Sequence, residues 1–159
     1  MSHLVLQVLH LTPCPLVFAI VNHGIAHALG AKFHIPHGRA NAIVLPDVIG
    51  FNSGIAENTF ALENPSPCVS KYANMSRRIG LAGYDDIACV KALAFYIRSM
   101  QIELGMPVCV HEAVPNLTYK EYESRLSAMA DAALLDSCTR TNPRKPSKED
   151  IIAILKKIW

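Results

Sequence analysis

The stretch "NHGIAHALGAKFHIPHG", residues 22–38, places four histidines in seventeen positions. His23 and His27 are four residues apart. On an α-helix they therefore share one face, with Cβ atoms roughly 5–6 Å apart. Both can then reach one metal ion at metal–imidazole distances of about 2.0–2.1 Å. The zinc-protease signature requires glutamate directly after the first histidine, and Gly24 stands there instead. A bare HxxxH pair is a weak signal, and two helix histidines with satisfied hydrogen bonds are the simpler reading of it. Residues 30–38, "GAKFHIPHG", have glycine at both ends and Pro36 inside, and so read as a loop.

Outward from this stretch the pattern is helical on both sides. Residues 16–29 are continuous and mostly apolar. "RANAIVLPDVIGFN" (39–52) continues as a helix that Pro46 should kink, because proline lacks the N–H and crowds the preceding turn. Residues 53–69 hold Gly54, Pro65 and Pro67 without a period and read as an irregular connection. In "KYANMSRRIG" (71–80), Tyr72, Met75 and Ile79 mark a short amphipathic helix, with Gly80 or Gly83 as its stop. The clearest helix starts near Asp85. Ile87, Val90, Leu93, Ala94, Ile97, Met100 and Leu104 follow the 3.6-residue period up to Gly105 and Pro107. Thr118 and Glu121 have capping-box spacing ahead of Tyr122, Leu126, Met129, Ala130 and Ala133. Ser147 and Asp150 repeat it ahead of Ile151, Ile152, Leu155 and Ile158. No alternating run and no hairpin signal appears. The fold class that follows is all-α, with five to seven helices.

Composition narrows the function classes. The chain has 159 residues, 51% hydrophobic and 18% charged, with a formal net charge of +2. That charge gives no case for nucleic acid, and the basic residues Arg140, Arg144, Lys145, Lys148, Lys156 and Lys157 read as a solvated face. Five cysteines, an odd number without CxxC spacing, fit reduced thiols in a cytoplasm better than metal fingers or a disulfide framework. The apolar first twenty residues are interrupted by Gln7, His10, Pro13 and Pro15. No Lys or Arg precedes them, so they read as a buried segment rather than a signal peptide or a membrane span.

Taken whole, "HGIAHALGAKFHIPHGRANAIVLP" (23–46) closely resembles the signature of the iron-containing (group III) alcohol dehydrogenases, HxxAHxLG, a loop, then PHGxxNAxxLP. Phe51-Asn52, "ELGMP" (103–107) and "DSCTRTNPRKPSKEDI" (136–151) extend the resemblance over residues 17–159. Residues 1–16 form a divergent apolar N-terminal segment outside it. The family joins an α/β half that binds the nicotinamide dinucleotide to an all-helical C-terminal half that supplies part of the metal site. Only the second half is resembled here.

Carried over residue by residue, the resemblance implies metal ligands at His23 and His37. It implies a position for His27 beside nicotinamide and substrate, suited to relaying the alcohol proton. His34 is no motif position. The metal would be Fe2+, or Zn2+, since imidazole suits both, acting as a Lewis acid on an alcohol or aldehyde oxygen. NAD(P) would bind through an N-terminal nucleotide-binding half, as no GxGxxG occurs here. The family's other two ligands, an aspartate and a histidine, lie upstream of the matched region, and two histidines alone are a thin shell. Bulky "LTPCPLVFAIVN" replaces the small residues usual before HxxAH, and Arg140 replaces a glycine found in some members. The expectation is the metal-binding part of a longer enzyme, inactive alone and prone to self-association through an uncovered apolar face. The alternative is a non-catalytic helical remnant or interaction module that binds adventitious metal.

Overall fold

A computed structural model of the chain describes residues 20–55, 66, 68–81 and 83–159. The divergent segment 1–16 and most of the connection 53–69 thus lie outside the described residues. Among those described, eight α-helices and one 3-10 turn occur, and no β-strand. They are α1 (Ile20–Phe33), α2 (His37–Ser53), α3 (Cys68–Arg78), α4 (Asp86–Glu103), α5 (Val110–Ala113), α6 (Tyr119–Glu123), α7 (Leu126–Leu135), the 3-10 turn Ser137–Thr141, and α8 (Lys148–Lys157). The all-α expectation holds, and no described helix is long and apolar enough to cross a membrane.

Helix α1 lies at the centre. It is apolar nearly all round, and a helix of that kind must be covered all round. It packs against α2, α7 and the 3-10 turn, burying Val21, Ile25, Ala26, Ala28 and Leu29. The main core adds Ile43, Val44 and Val48 of α2, Tyr122, Leu126, Met129 and Ala133, and Ile151, Leu155 and Ile158. A second core, built on Ile49, Cys68, Val69, Tyr72, Met75, Cys89, Val90 and Leu93, holds the α3–α4 hairpin to the end of α2.

Several local readings are confirmed with their physical cause. Both capping boxes form, Thr118 with Glu121 and Ser147 with Asp150. Gly80 ends α3 and Gly105 ends α4, each at a positive φ (81° and 64°) that costs glycine nothing. Pro46 sits inside α2 and is buried. Its missing N–H leaves the Ala42 carbonyl without a helical partner, and the side-chain amide of buried Gln101 from α4 donates to that carbonyl. Arg98, also on α4, donates to the next carbonyl, Ile43, at 3.5 Å and pairs with Asp47 at 3.2 Å.

Others are corrected. The 30–38 loop shrinks to residues 34–36, because Gly30 stays helical and the chain leaves α1 through His34, whose φ of 56° is left-handed. Helix α3 starts at Cys68 rather than Lys71. Leu104 is 70% exposed rather than buried, because α4 ends one residue earlier and the helical period no longer applies to it. The single helix expected after Thr118 breaks at Ser124-Arg125. Ser124 Oγ donates to the Glu121 carbonyl at 2.7 Å, a local bond that competes with the helix.

Candidate metal centre

The short 34–36 connection turns the chain so that the N-terminus of α2 returns to the middle of α1. His37, the first residue of α2, thereby meets His23 and His27. The ring centres are 5.3 Å apart for His23–His37, 5.1 Å for His27–His37 and 6.0 Å for His23–His27. His34, by contrast, is exposed in the connection.

The donor chemistry of His23 and His37 fits a divalent transition metal. Metal–nitrogen bonds of about 2.0–2.1 Å in a tetrahedral shell put two imidazole centres roughly 5 Å apart, the separation found for this pair. Among the described residues no group of three or more His, Cys, Asp or Glu is arranged to hold a metal ion. What these residues offer is therefore a partial shell.

Two of the imidazoles, those of His37 and His27, have polar support that the sequence did not reveal. Asn41, one helical turn after His37, donates from Nδ2 to the His37 carbonyl at 2.9 Å and meets His37 Nε2 at 3.0 Å. Its Oδ1 accepts from Asn22 Nδ2 at 2.8 Å. These contacts fix which end of the Asn41 amide is nitrogen, so Nε2 of His37 is the acceptor. A metal taking that lone pair would replace one N–H donor. Buried Asn22 thus ties α1 to the His37 turn.

His27 is held differently. Its Nδ1 lies 2.7 Å from Asp136 Oδ2, across 109 residues of sequence. Asp136 lies between α7 and the 3-10 turn, and its other oxygen caps that turn by accepting from the Cys138 N–H at 2.8 Å. Burial alone would raise the Asp136 pKa. The hydrogen bonds from His27 and Cys138 outweigh it and hold the carboxyl below its ordinary value. Gly24 makes the approach possible. A Cβ there would run into the Thr139 hydroxyl and the Ala133 carbonyl, and would lie 3.4 Å from the Asp136 Cβ. The residue that excludes the zinc-protease signature is the one that lets the 3-10 turn lie on α1. Asp136 and Asn41 were the residues missed as site partners. The Asp136–Cys138 spacing is a readable Asx turn, but nothing in the sequence indicates its reach to His27.

Residues 16–159 match the model of the Fe-containing alcohol dehydrogenase family, C-terminal. The chain is 36% identical over 146 residues to a 1-propanol dehydrogenase of Salmonella typhimurium, covering 87% of this chain and 35% of that protein. It is 31% identical over 137 residues to an NADPH-dependent butanol dehydrogenase of Clostridium saccharobutylicum, covering 86% and 32%. Among solved structures, a 1,3-propanediol oxidoreductase superposes with a TM-score of 0.70 at 26% identity, over 87% of this chain and 32% of that one. The chain spans about a third of the length of these two curated relatives. With residues 16–159 matched to that family's model and the all-helical architecture shared with that solved structure, the chain belongs to the Fe-containing alcohol dehydrogenase family and carries its C-terminal domain.

Proposed function

We propose that this chain is the metal-binding part of an NAD(P)-dependent alcohol dehydrogenase that interconverts a primary alcohol and an aldehyde. The observation that carries the reading is the convergence of three imidazoles from two helices, with centres 5.1–6.0 Å apart, at the motif positions of a dehydrogenase family. Relatives named 1-propanol, butanol and lactaldehyde oxidoreductases support the substrate class of small alcohols and aldehydes.

In this reading His23 and His37 hold Fe2+ or Zn2+, and an upstream segment supplies the remaining ligands and the nucleotide site. The bound metal supplies Lewis-acid polarisation of the alcohol or aldehyde oxygen. Asn41 holds the His37 turn through the His37 carbonyl, and its N–H at Nε2 is the donor that a bound metal would displace. His27, tethered to Asp136, accepts the alcohol proton. Holding the cofactor's reactive carbon near the metal is left to the nucleotide-binding half, and positioning of that kind accounts for about 7–11 kcal/mol of barrier lowering. The chain alone should therefore show no turnover.

The test joins the chain to the nucleotide-binding half of a similar enzyme and measures bound metal and initial rate on the same samples. His23→Ala should remove metal and rate together. His27→Ala should keep the metal and lower the rate at least 100-fold, as expected for a general base. Turnover by the lone chain, or full turnover after His23→Ala, contradicts the reading.

A further inference from the structure

The His27–Asp136 contact crosses the domain to a ring whose side chain is 46% exposed, with Asp136 itself 18% exposed. A surface ion pair of this kind contributes little to stability, yet several features of the fold serve it. Gly24, one turn before His27, lets the 3-10 turn settle onto α1. Asp136 is at once the C-cap of α7 and the N-cap of the turn. Its two oxygens are divided, Oδ1 to the Cys138 N–H at 2.8 Å and Oδ2 to His27 at 2.7 Å.

We propose that Asp136 is a positioning residue for His27: its carboxylate holds the imidazole with the proton on Nδ1 and leaves the Nε2 lone pair open beside His23 and His37. An ionised carboxylate only accepts hydrogen bonds, so the ring nitrogen facing Oδ2 must carry a hydrogen. In the neutral imidazole the other nitrogen is then the acceptor. A histidine side chain without such a partner favours the opposite form, with the proton on Nε2. The carboxylate thus selects the minor tautomer, and with it the nitrogen that can take a proton from a ligand. The tautomer follows from the geometry alone. Its use, acceptance of the alcohol proton, rests on the dehydrogenase reading above.

The division of the two oxygens makes Asp136→Asn a sharp probe. The Cys138 N–H still needs an acceptor, so the amide oxygen of Asn stays at the Oδ1 position and the amide nitrogen faces His27. That nitrogen donates to Nδ1 and drives the ring proton to Nε2, as an Asp→Asn change does in the Ser-His-Asp triad. The N-cap and the shape of the turn are retained. Asp136→Ser also keeps a capping oxygen but is too short to reach the ring.

The experiment is two-bond 1H–15N correlation spectroscopy on the 159-residue chain with 15N-labelled histidine, at a pH where neutral imidazoles dominate, with His27 identified by His27→Gln. In the unsubstituted chain His27 should carry its proton on Nδ1. In Asp136→Asn the proton should move to Nε2, and in Asp136→Ser the population should shift the same way, while the His23 and His37 signals keep their pattern. A His27 protonated on Nε2 in the unsubstituted chain overturns the proposal. So does an Nδ1 proton that persists in Asp136→Asn or, if that variant does not fold, in Asp136→Ser. In the longer enzyme, Asp136→Asn should lower kcat at least tenfold with bound metal and KM unchanged. If the unsubstituted longer enzyme oxidises no alcohol, the dehydrogenase reading fails while the tautomer result stands. If that enzyme turns over and Asp136→Asn leaves kcat unchanged, the positioning role fails.

Discussion

The segment from Asp136 to Arg144 touches the first two helices at both of its ends, and the two contacts are opposite in kind. At the front, Asp136 reaches a half-exposed His27 through one bond and leaves the other ring nitrogen uncommitted. At the rear, Asn142 is buried with all of its amide in use. Its Oδ1 accepts from the Val21 N–H at 3.4 Å, and its Nδ2 donates to Asn52 Oδ1 at 2.7 Å and to the Arg144 carbonyl. Asn52 in turn donates to the Tyr72 hydroxyl at 3.4 Å. Arg144 donates to the Phe51 carbonyl at 2.8 Å and lies over the Phe51 ring at 4.4 Å. The "FN" and "TNPR" stretches, which carry the family resemblance as visibly as the histidines do, are thus architectural partners of each other. Buried groups with every bond made specify a fold; a supported group with one nitrogen left over is built to act.

The comparison is open to attack from both sides, and the largest effect lies at the rear. Asn142→Ala strands the Val21 N–H and the Asn52 amide in the core, and each stranded group costs about 1–3 kcal/mol. Urea unfolding should show a loss of at least ~2 kcal/mol; a loss under ~0.5 kcal/mol would deny the rear its structural role. Gln101→Leu comes next. It removes the donor that replaces the Pro46 N–H at the Ala42 carbonyl and should cost roughly 1–3 kcal/mol by the same measurement. Pro46→Ala in the same background should recover part of that loss, because the helix then supplies its own N–H.

At the front, smaller effects are expected. Asp136→Ala removes a cap worth about 1 kcal/mol, and His27→Ala should change stability by less than ~0.5 kcal/mol. The Asp136 carboxyl titrates below its ordinary value in the folded chain. Its contribution is therefore present above about pH 4, the unfolded value, and is lost as pH falls through the lower folded value. The stability gap between the unsubstituted chain and Asp136→Ala should accordingly close on acidification below pH about 4. A gap that widened there would reverse the sign and refute the pairing. His34→Gly acts in the opposite direction: it relieves the left-handed φ of 56° and should stabilise by roughly a few tenths of a kcal/mol in the same unfolding measurement.

Local signals were legible wherever they depend on neighbours in sequence. The two capping boxes, the stops at Gly80 and Gly105, and the core stripe of Tyr122, Leu126, Met129 and Ala133 could all be read directly. What failed was local too, but set by competition. Gly30, at the start of the stretch that reads as a loop, stays helical because nothing forces a glycine out of a helix, and Ser124 breaks α6 from α7 through its own hydroxyl. The site was legible as residues and not as geometry. The His23–His27 spacing was plain, and the family resemblance singled out His37. Asp136 reaches His27 across 109 residues and Asn22 reaches Asn41 across 19, and such pairings leave no trace in a periodic pattern.

Metal binding by the histidine face tests the central claim most directly. The 159-residue chain and its four single variants His23→Ala, His27→Ala, His34→Ala and His37→Ala would be titrated anaerobically with Fe2+, and separately with Zn2+, by calorimetry. The expected result is weak one-site binding that is lost in His23→Ala and His37→Ala and kept in His27→Ala and His34→Ala. Loss of binding in His27→Ala with retention in His37→Ala, or an equal loss in all four variants, would contradict the account.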